Sequence, residues 1–297
     1  MRTGVKGAVY LSVAASIWGG MYIASKYTLA MIPPFTLLFI RYFLASVILV
    51  VWCRRSQVAI MPRQDRWLMF QIGFMGYFLS VATQFIGTKL SSAHMGAVIT
   101  TLSPVFQSGF AILLLGEMAS RRQVVSLGLS IIGVAVITNA VSILQHEAFN
   151  TGNLFFLVAA ILWGYYSVLA KKADASQPTL RITTWGILVA TLCALPPAAV
   201  EWGSWETSVL GNGMVIFSIL YLAAISTTVA YYCWNKGLAL TTSHQAGLFI
   251  FLQPVVGSIL GYSLLGEELS PSFFAGTVLI LIAVYLSIAS GKEKANP

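Results

Sequence analysis

Few residues in this chain could do chemistry. Its 297 residues include 17 Lys or Arg, 9 Asp or Glu and 3 His. His94, His146 and His244 are scattered, and no Gly-x-Ser-x-Gly or His-x-x-His pattern occurs. Covalent or metal-assisted catalysis needs a nucleophile beside a base, paired carboxylates or a ligand cluster. The sequence offers none of these, so a membrane-embedded enzyme is the weakest reading, and neither a metal nor a cofactor is expected. Cys53, Cys193 and Cys233 have no paired spacing and read as small apolar residues. No Walker-type glycine loop is present, which excludes ATP-driven work by this chain alone.

What remains is binding chemistry. Arg41 is the strongly basic side chain deep inside an apolar run. Burial of a charge is costly, so it must face a bundle interior, water or a partner. It reads either as a structural arginine or as an anchor for a carboxylate or phosphate. Trp18, Tyr22, Tyr77, Trp163, Tyr166 and Tyr231 offer aromatic surface, part of which is ordinary interfacial decoration. Trp18 and Trp163 lie deeper and are candidates for a pocket wall, where aromatic faces pack an apolar or cationic solute. Gln84, Asn235 and Gln253 could hydrogen-bond a solute or join helices. Pro104 and Pro254 fall within apolar runs and are expected to kink their helices, as a packing bend or beside a cavity. His94 and His244 begin equivalent runs and read as helix-end residues or proton-sensitive gates. No Asp or Glu occupies the middle of any apolar run. A neutral or zwitterionic solute therefore fits better than a large cation exchanged for protons.

The elements that must position these residues are membrane spans. The chain is 58% hydrophobic and 9% charged, with mean hydropathy +0.83. About 20 apolar residues cross a ~30 Å hydrocarbon core, and such runs recur from end to end. Ten are expected, at 5–25, 34–52, 67–88, 94–115, 124–143, 154–169, 182–200, 214–234, 246–265 and 273–289. The first is too long for a signal-peptide core and reads as an uncleaved span. With the amino terminus in the cytoplasm, nearly every Lys and Arg falls on that side, Lys26 and Lys89 being the exceptions. This places both termini in the cytoplasm and accounts for the net charge of +8 without a nucleic-acid partner.

The chain also repeats itself. At an offset of 150, Ser92–Glu117 aligns without a gap on Thr242–Glu267, matching His94 with His244, Pro104 with Pro254 and Gly116-Glu117 with Gly266-Glu267. Trp18-Gly19 likewise echoes Trp163-Gly164, and Lys26 falls on Lys171. The copies are expected to be residues 1–145 and 146–297, meeting near a short polar stretch at 145–152. Five spans each is an odd number, so the second copy enters the membrane upside down, a design recurrent in secondary transporters.

These motifs resemble the EamA domain of the drug/metabolite transporter superfamily. The resemblance rests on the two Trp-Gly pairs, on Phe39-Ile40-Arg41-Tyr42-Phe43 in the second run, and on Leu102-x-Pro104 followed by Leu115-Gly116-Glu117, doubled through Pro254. The second copy departs by carrying Thr183-Thr184-Trp185 where a second arginine is expected. The resemblance implies an all-α polytopic membrane protein of ten helices, two inverted five-helix repeats and a central cavity. It implies a permease or exporter of small metabolites, such as amino acids, working by alternating access. A lipid-carrier or drug flippase is the alternative. The expected partners are a small solute and the bilayer of a prokaryotic cytoplasmic membrane. One chain holds both halves, so a monomer suffices, and a homodimer is left open.

Overall fold

The computed structural model describes residues 3–62, 64–91, 96, 99–137, 151–265 and 271–293. His94, Glu267 and most of the stretch between the two copies lie outside the described residues. The rest is helical, with no strand among the described residues. In chain order the helices are α1 (Thr3–Leu29), α2 (Pro34–Arg55), α3 (Arg66–Leu90), α4 (Ser103–Leu115), α5 (Arg121–Ile137), α6 (Thr151–Asp174), α7 (Thr179–Glu201), α8 (Gly213–Leu240), α9 (Ser243–Leu248, continued by Leu252–Leu265) and α10 (Pro271–Glu293). Seven stretches among the described residues are long and apolar enough to cross a membrane, and those within α4 and α10 are shorter. The protein is a multi-pass membrane protein.

Local chemistry sets the helix ends. Pro34 opens α2 and Pro178 caps α7, positions where a missing N–H costs nothing. The backbone N–H and hydroxyl of Thr36 donate to Glu201 Oε2 at 2.8 and 3.2 Å, so a carboxylate from the end of α7 covers the positive end of α2. Gly116, in the left-handed region at φ 66°, stops α4. Thr242 and Gln245 form a reciprocal capping box that starts α9.

Two helices widen at matching places. A π-helical segment fills Ile72–Leu79 of α3, and another fills Tyr221–Val229 of α8. In the second, the Thr227 and Thr228 hydroxyls donate to carbonyls five residues back, Leu222 at 2.7 Å and Ala223 at 3.1 Å, supporting the wider turn. π segments of this kind often mark functional places.

The two prolines each follow an irregular turn. Pro104 stands in the first turn of α4, after a turn at 101–102, so it starts a helix and interrupts no hydrogen-bond ladder. The run is broken there, with helix at 99–100, a turn at 101–102 and a new helix from Ser103. Pro254 stands inside α9, just past a 3₁₀ turn at Phe249–Phe251 that absorbs the irregularity.

Packing interleaves the two copies. α1 lies on α8 and α9, α6 on α3 and α4, α2 on α7 and the π segment of α8, α7 on the π segment of α3, and α5 on α10. The Trp-Gly pairs explain two of these contacts. A Cβ on Gly19 would sit 2.9 Å from the Gln253 carbonyl of α9, and one on Gly164 would sit 2.6 Å from the Gln107 backbone nitrogen of α4. Each glycine lets a helix of the other copy approach its backbone, while the tryptophan before it turns inward. Large apolar side chains such as Leu113, Leu154, Leu192 and Val200 remain on the outside, as a lipid-facing surface requires.

Candidate solute-binding cavity

A cavity of about 50 Å³ lies among six helices. Trp18 and Met21 of α1, Ser80, Val81 and Gln84 of α3, Thr100, and Ser103 of α4 supply one side. Ala159, Ala160 and Trp163 of α6, Tyr231 of α8, and Ile250 and Gln253 near the α9 turn supply the other. At roughly 10–15 Å³ per water this is room for a few waters or a small polar group. No lining residue is acidic or basic, and no group of His, Cys, Asp or Glu among the described residues could hold a metal.

Aromatic rings frame the cavity. Trp18 and Trp163 meet edge to face at 5.0 Å, and Trp18 contacts Tyr231 at 5.3 Å. The Trp18 Nε1–H donates to the Ser226 carbonyl in the π segment of α8 at 3.0 Å. The Trp163 Nε1–H is buried and has no partner. One indole donor of the pair is thus committed to the scaffold, while the other is left over.

Behind the Tyr231 ring lies a closed polar layer. Tyr166 donates to Asn235 Oδ1 at 2.7 Å, and Asn235 Nδ2 donates to the Tyr77 hydroxyl at 2.8 Å and to Thr183 Oγ1 at 3.0 Å. The Tyr77 and Tyr166 hydroxyls are 3.1 Å apart. Tyr166 has spent its proton on Asn235, so Tyr77 donates to Tyr166 and the ring of bonds closes. Tyr42 adds a 2.6 Å bond to the Tyr77 carbonyl. Buried polar groups satisfied in this way hold helices in register.

Arg41 is fully buried on α2. Its Nε donates to Thr227 Oγ1 at 2.9 Å, and Nη1 approaches the Met21 sulfur at 3.8 Å. The Tyr42 and Phe85 rings lie 5.3 and 5.8 Å from its guanidinium carbon. Nη2 has no partner.

One end of the same helix set is braced. Glu117, just past α4, pairs with Lys171 of α6 at 2.8 Å, and its other carboxylate oxygen accepts the Ser243 N–H of α9 at 2.8 Å. Lys171 also donates to the Thr241 carbonyl, and His244 Nε2 lies 3.0 Å from the Glu117 carbonyl. Burial pushes the Glu117 carboxyl pKa up, but the bond and charge of Lys171 and the Ser243 N–H outweigh it and hold the net value below the usual range.

Of the aromatic and amide candidates read from the sequence, Trp18, Gln84, Trp163, Tyr231 and Gln253 line the cavity. Tyr77, Tyr166 and Asn235 sit in the polar layer behind it. Tyr22 is on α1, with its side chain outside what is described, as is all of His94. His244 belongs to the brace, Pro104 lies one residue from the lining Ser103, and Pro254 follows the lining Gln253. Sequence reading did not single out Met21, Ser80, Val81, Thr100, Ala159, Ala160 and Ile250. Each lies three or four residues from another lining residue, the spacing that shares a helix face, and that signal could have found them.

Comparison with known proteins agrees with this architecture. The sequence profile of the EamA-like transporter family matches twice, over residues 5–139 and 150–289. A protein of Archaeoglobus fulgidus named an uncharacterized transporter is 27% identical over 291 residues, 96% of this chain and 98% of its own length. A Salmonella typhimurium protein named a probable amino-acid metabolite efflux pump is 25% identical over 279 residues, 92% of this chain and 91% of its own. A crystal structure 20% identical in sequence superposes with a TM-score of 0.80, covering 99% of both chains, which shows a shared fold.

Proposed function

Since this chain belongs to the EamA-like transporter family, we propose that it is a secondary permease exporting small neutral or zwitterionic metabolites such as amino acids. The observation that carries this reading is the cavity itself. Both copies of the repeat contribute to its wall, with aromatic faces, amides and hydroxyls and no charged lining residue. That chemistry suits a solute that is polar but carries no net charge. The name of the Salmonella relative supports the solute class.

The mechanism is alternating access by ten spans in two inverted halves, residues 1–145 and 146–297, with both termini in the cytoplasm. A single copy holding both halves suffices for this cycle. The Glu117–Lys171 brace joins α4, α6 and the start of α9, and in this reading it is the closure of the cytoplasmic end. The repeat assigns Glu267, Lys26 and His94 to the equivalent places at the opposite end. Lys26 is exposed here. Exchange of one brace for the other would switch the open side, and the solute needs only to bind both states in turn.

The test is efflux from vesicles that contain the purified full chain and are loaded with the twenty L-amino acids. Trp163→Ala and Gln253→Ala should each slow release of the transported solutes by roughly tenfold or more, the effect of losing a buried recognition contact. Leu192→Ala, on the outer surface, should leave release unchanged. Equal release by all of these variants and by protein-free vesicles would rule out the permease.

A further inference from the structure

Arg41 is the fully buried cation of the described core, and no carboxylate answers it. The described acidic side chains are engaged elsewhere: Glu117 with Lys171, Asp65 with Ser176, Asp174 with Thr179, Glu201 with Thr36 and Glu206 with Ser208. Arg41 keeps one conventional bond, from Nε to Thr227, which fixes the plane of the guanidinium from behind. Its two terminal nitrogens are unspent: Nη2 has no partner and Nη1 meets only a thioether sulfur at 3.8 Å. A guanidinium taken out of water without an anion is strongly disfavoured, and several times costlier than an orphaned neutral group.

The sulfur covering Nη1 belongs to Met21, and Met21 lines the solute cavity. Met21 therefore touches both the cavity and a terminal nitrogen of a fully buried cation. Methionine is unbranched, turns about three bonds and adapts readily to a new neighbour. A swing of Met21 would open Nη1 to the cavity, and with Nη2 also unpartnered the guanidinium fork matches the two oxygens of a carboxylate. A phosphate would ask for more. It carries up to two charges, and no cation lines the cavity to assist Arg41.

We propose that Arg41 is a carboxylate subsite of the transport cavity, covered in this state by Met21. Resting on the permease reading, this narrows the solute to one bearing a carboxylate. An α-ammonium group on the same solute would face the rings of Trp18, Trp163 and Tyr231, which favour a cation. Charge balance then comes from the passenger, and the uncompensated arginine is a feature of the unloaded state.

The experiment compares each L-amino acid with its carboxamide in vesicles containing the purified full chain. The wild type should release acids in preference to their amides by roughly tenfold or more, as expected for a desolvated charge pair. Arg41→Gln should bring that preference to about one while amide release persists. Met21→Ala should keep the acid preference, because the cover is gone and the cation remains. An acid preference that survives Arg41→Gln in a transporting protein overturns the subsite and leaves the permease standing. Wild-type vesicles that release neither acids nor amides overturn both.

Should Arg41→Gln fail to fold, Met21→Cys carries the test with Arg41 in place. An anionic sulfonate-bearing thiosulfonate reagent should modify that cysteine faster than its quaternary-ammonium counterpart, relative to the wild-type background. The reverse order would overturn the proposal.

Discussion

Two helix crossings occupy matching places and hold different chemistry. α2 crosses the π segment of α8, and α7 crosses the π segment of α3. At the first, Arg41 donates to Thr227. At the second, the Tyr77 ring fits against Gly186, and Thr183 accepts from Asn235 beside it. The backbone is repeated and the charge is not. A duplicated scaffold gives two equivalent supports, while the polarity of what they enclose is set where the copies differ. One crossing holds an incompletely satisfied cation, and the other is a closed ring of neutral bonds with little left to offer a solute.

The comparison can be broken most severely at Gly186. A Cβ there would lie 2.2 Å from the Tyr77 ring, so Gly186→Val should destabilise the protein by about 1–3 kcal/mol or more through overpacking. Thermal unfolding of the detergent-solubilised protein reads this directly. An unchanged melting temperature would mean that the ring is not held between the helices.

A smaller effect separates the two kinds of bond. Thr227→Val removes the acceptor of a charged donor and should cost about 1.5–3 kcal/mol, whereas Tyr77→Phe removes neutral bonds worth about 1 kcal/mol each. A double-mutant cycle with Arg41→Gln should assign most of the Thr227 loss to that pair. A Thr227→Val loss that shows no coupling to Arg41→Gln would erase the distinction between the crossings.

The smallest effect sharpens the contrast from outside the core. Lys171, unlike Arg41, has a counter-charge and is only partly buried. Glu117→Gln should cost about 1 kcal/mol at neutral pH, the upper range for a partly exposed pair. The folded carboxyl value is lowered from 4.5, so the brace is fully present above the ordinary carboxyl range and is lost as pH falls through the lowered value. The melting difference between wild type and Glu117→Gln should therefore shrink on acidification. A difference that grows in acid would reverse the sign of the linkage.

Much of the scaffold was legible because membrane burial writes itself into composition. Apolar runs, proline starts at Pro34 and Pro178 and the Gly116 stop can each be read locally, since lipid leaves the backbone few options. The doubled Trp-Gly pairs announced a repeat, and the family profile matches twice. The candidate site was legible in part. Trp18, Trp163 and Gln253 stand out by type or by repeat, but Met21, Ala159 and Ala160 are ordinary residues of an apolar helix and gain meaning only from what they face. Pro104 marks an interruption of its run, a turn at 101–102 between helical residues, whose form a sequence pattern alone does not give.

By itself, then, the sequence determined that this is a multi-pass helical membrane protein made of two copies of one unit, with charge scarce in its apolar runs. Solvent alone enforces those properties, residue by residue. Tertiary structure decided which polar groups are spent and which remain. Asn235 and Gln253 are both amides near aromatic rings, yet one closes a buried ring of bonds and the other lines a cavity. That difference depends on what other helices bring within 3.0 Å of each amide, and no local pattern encodes it.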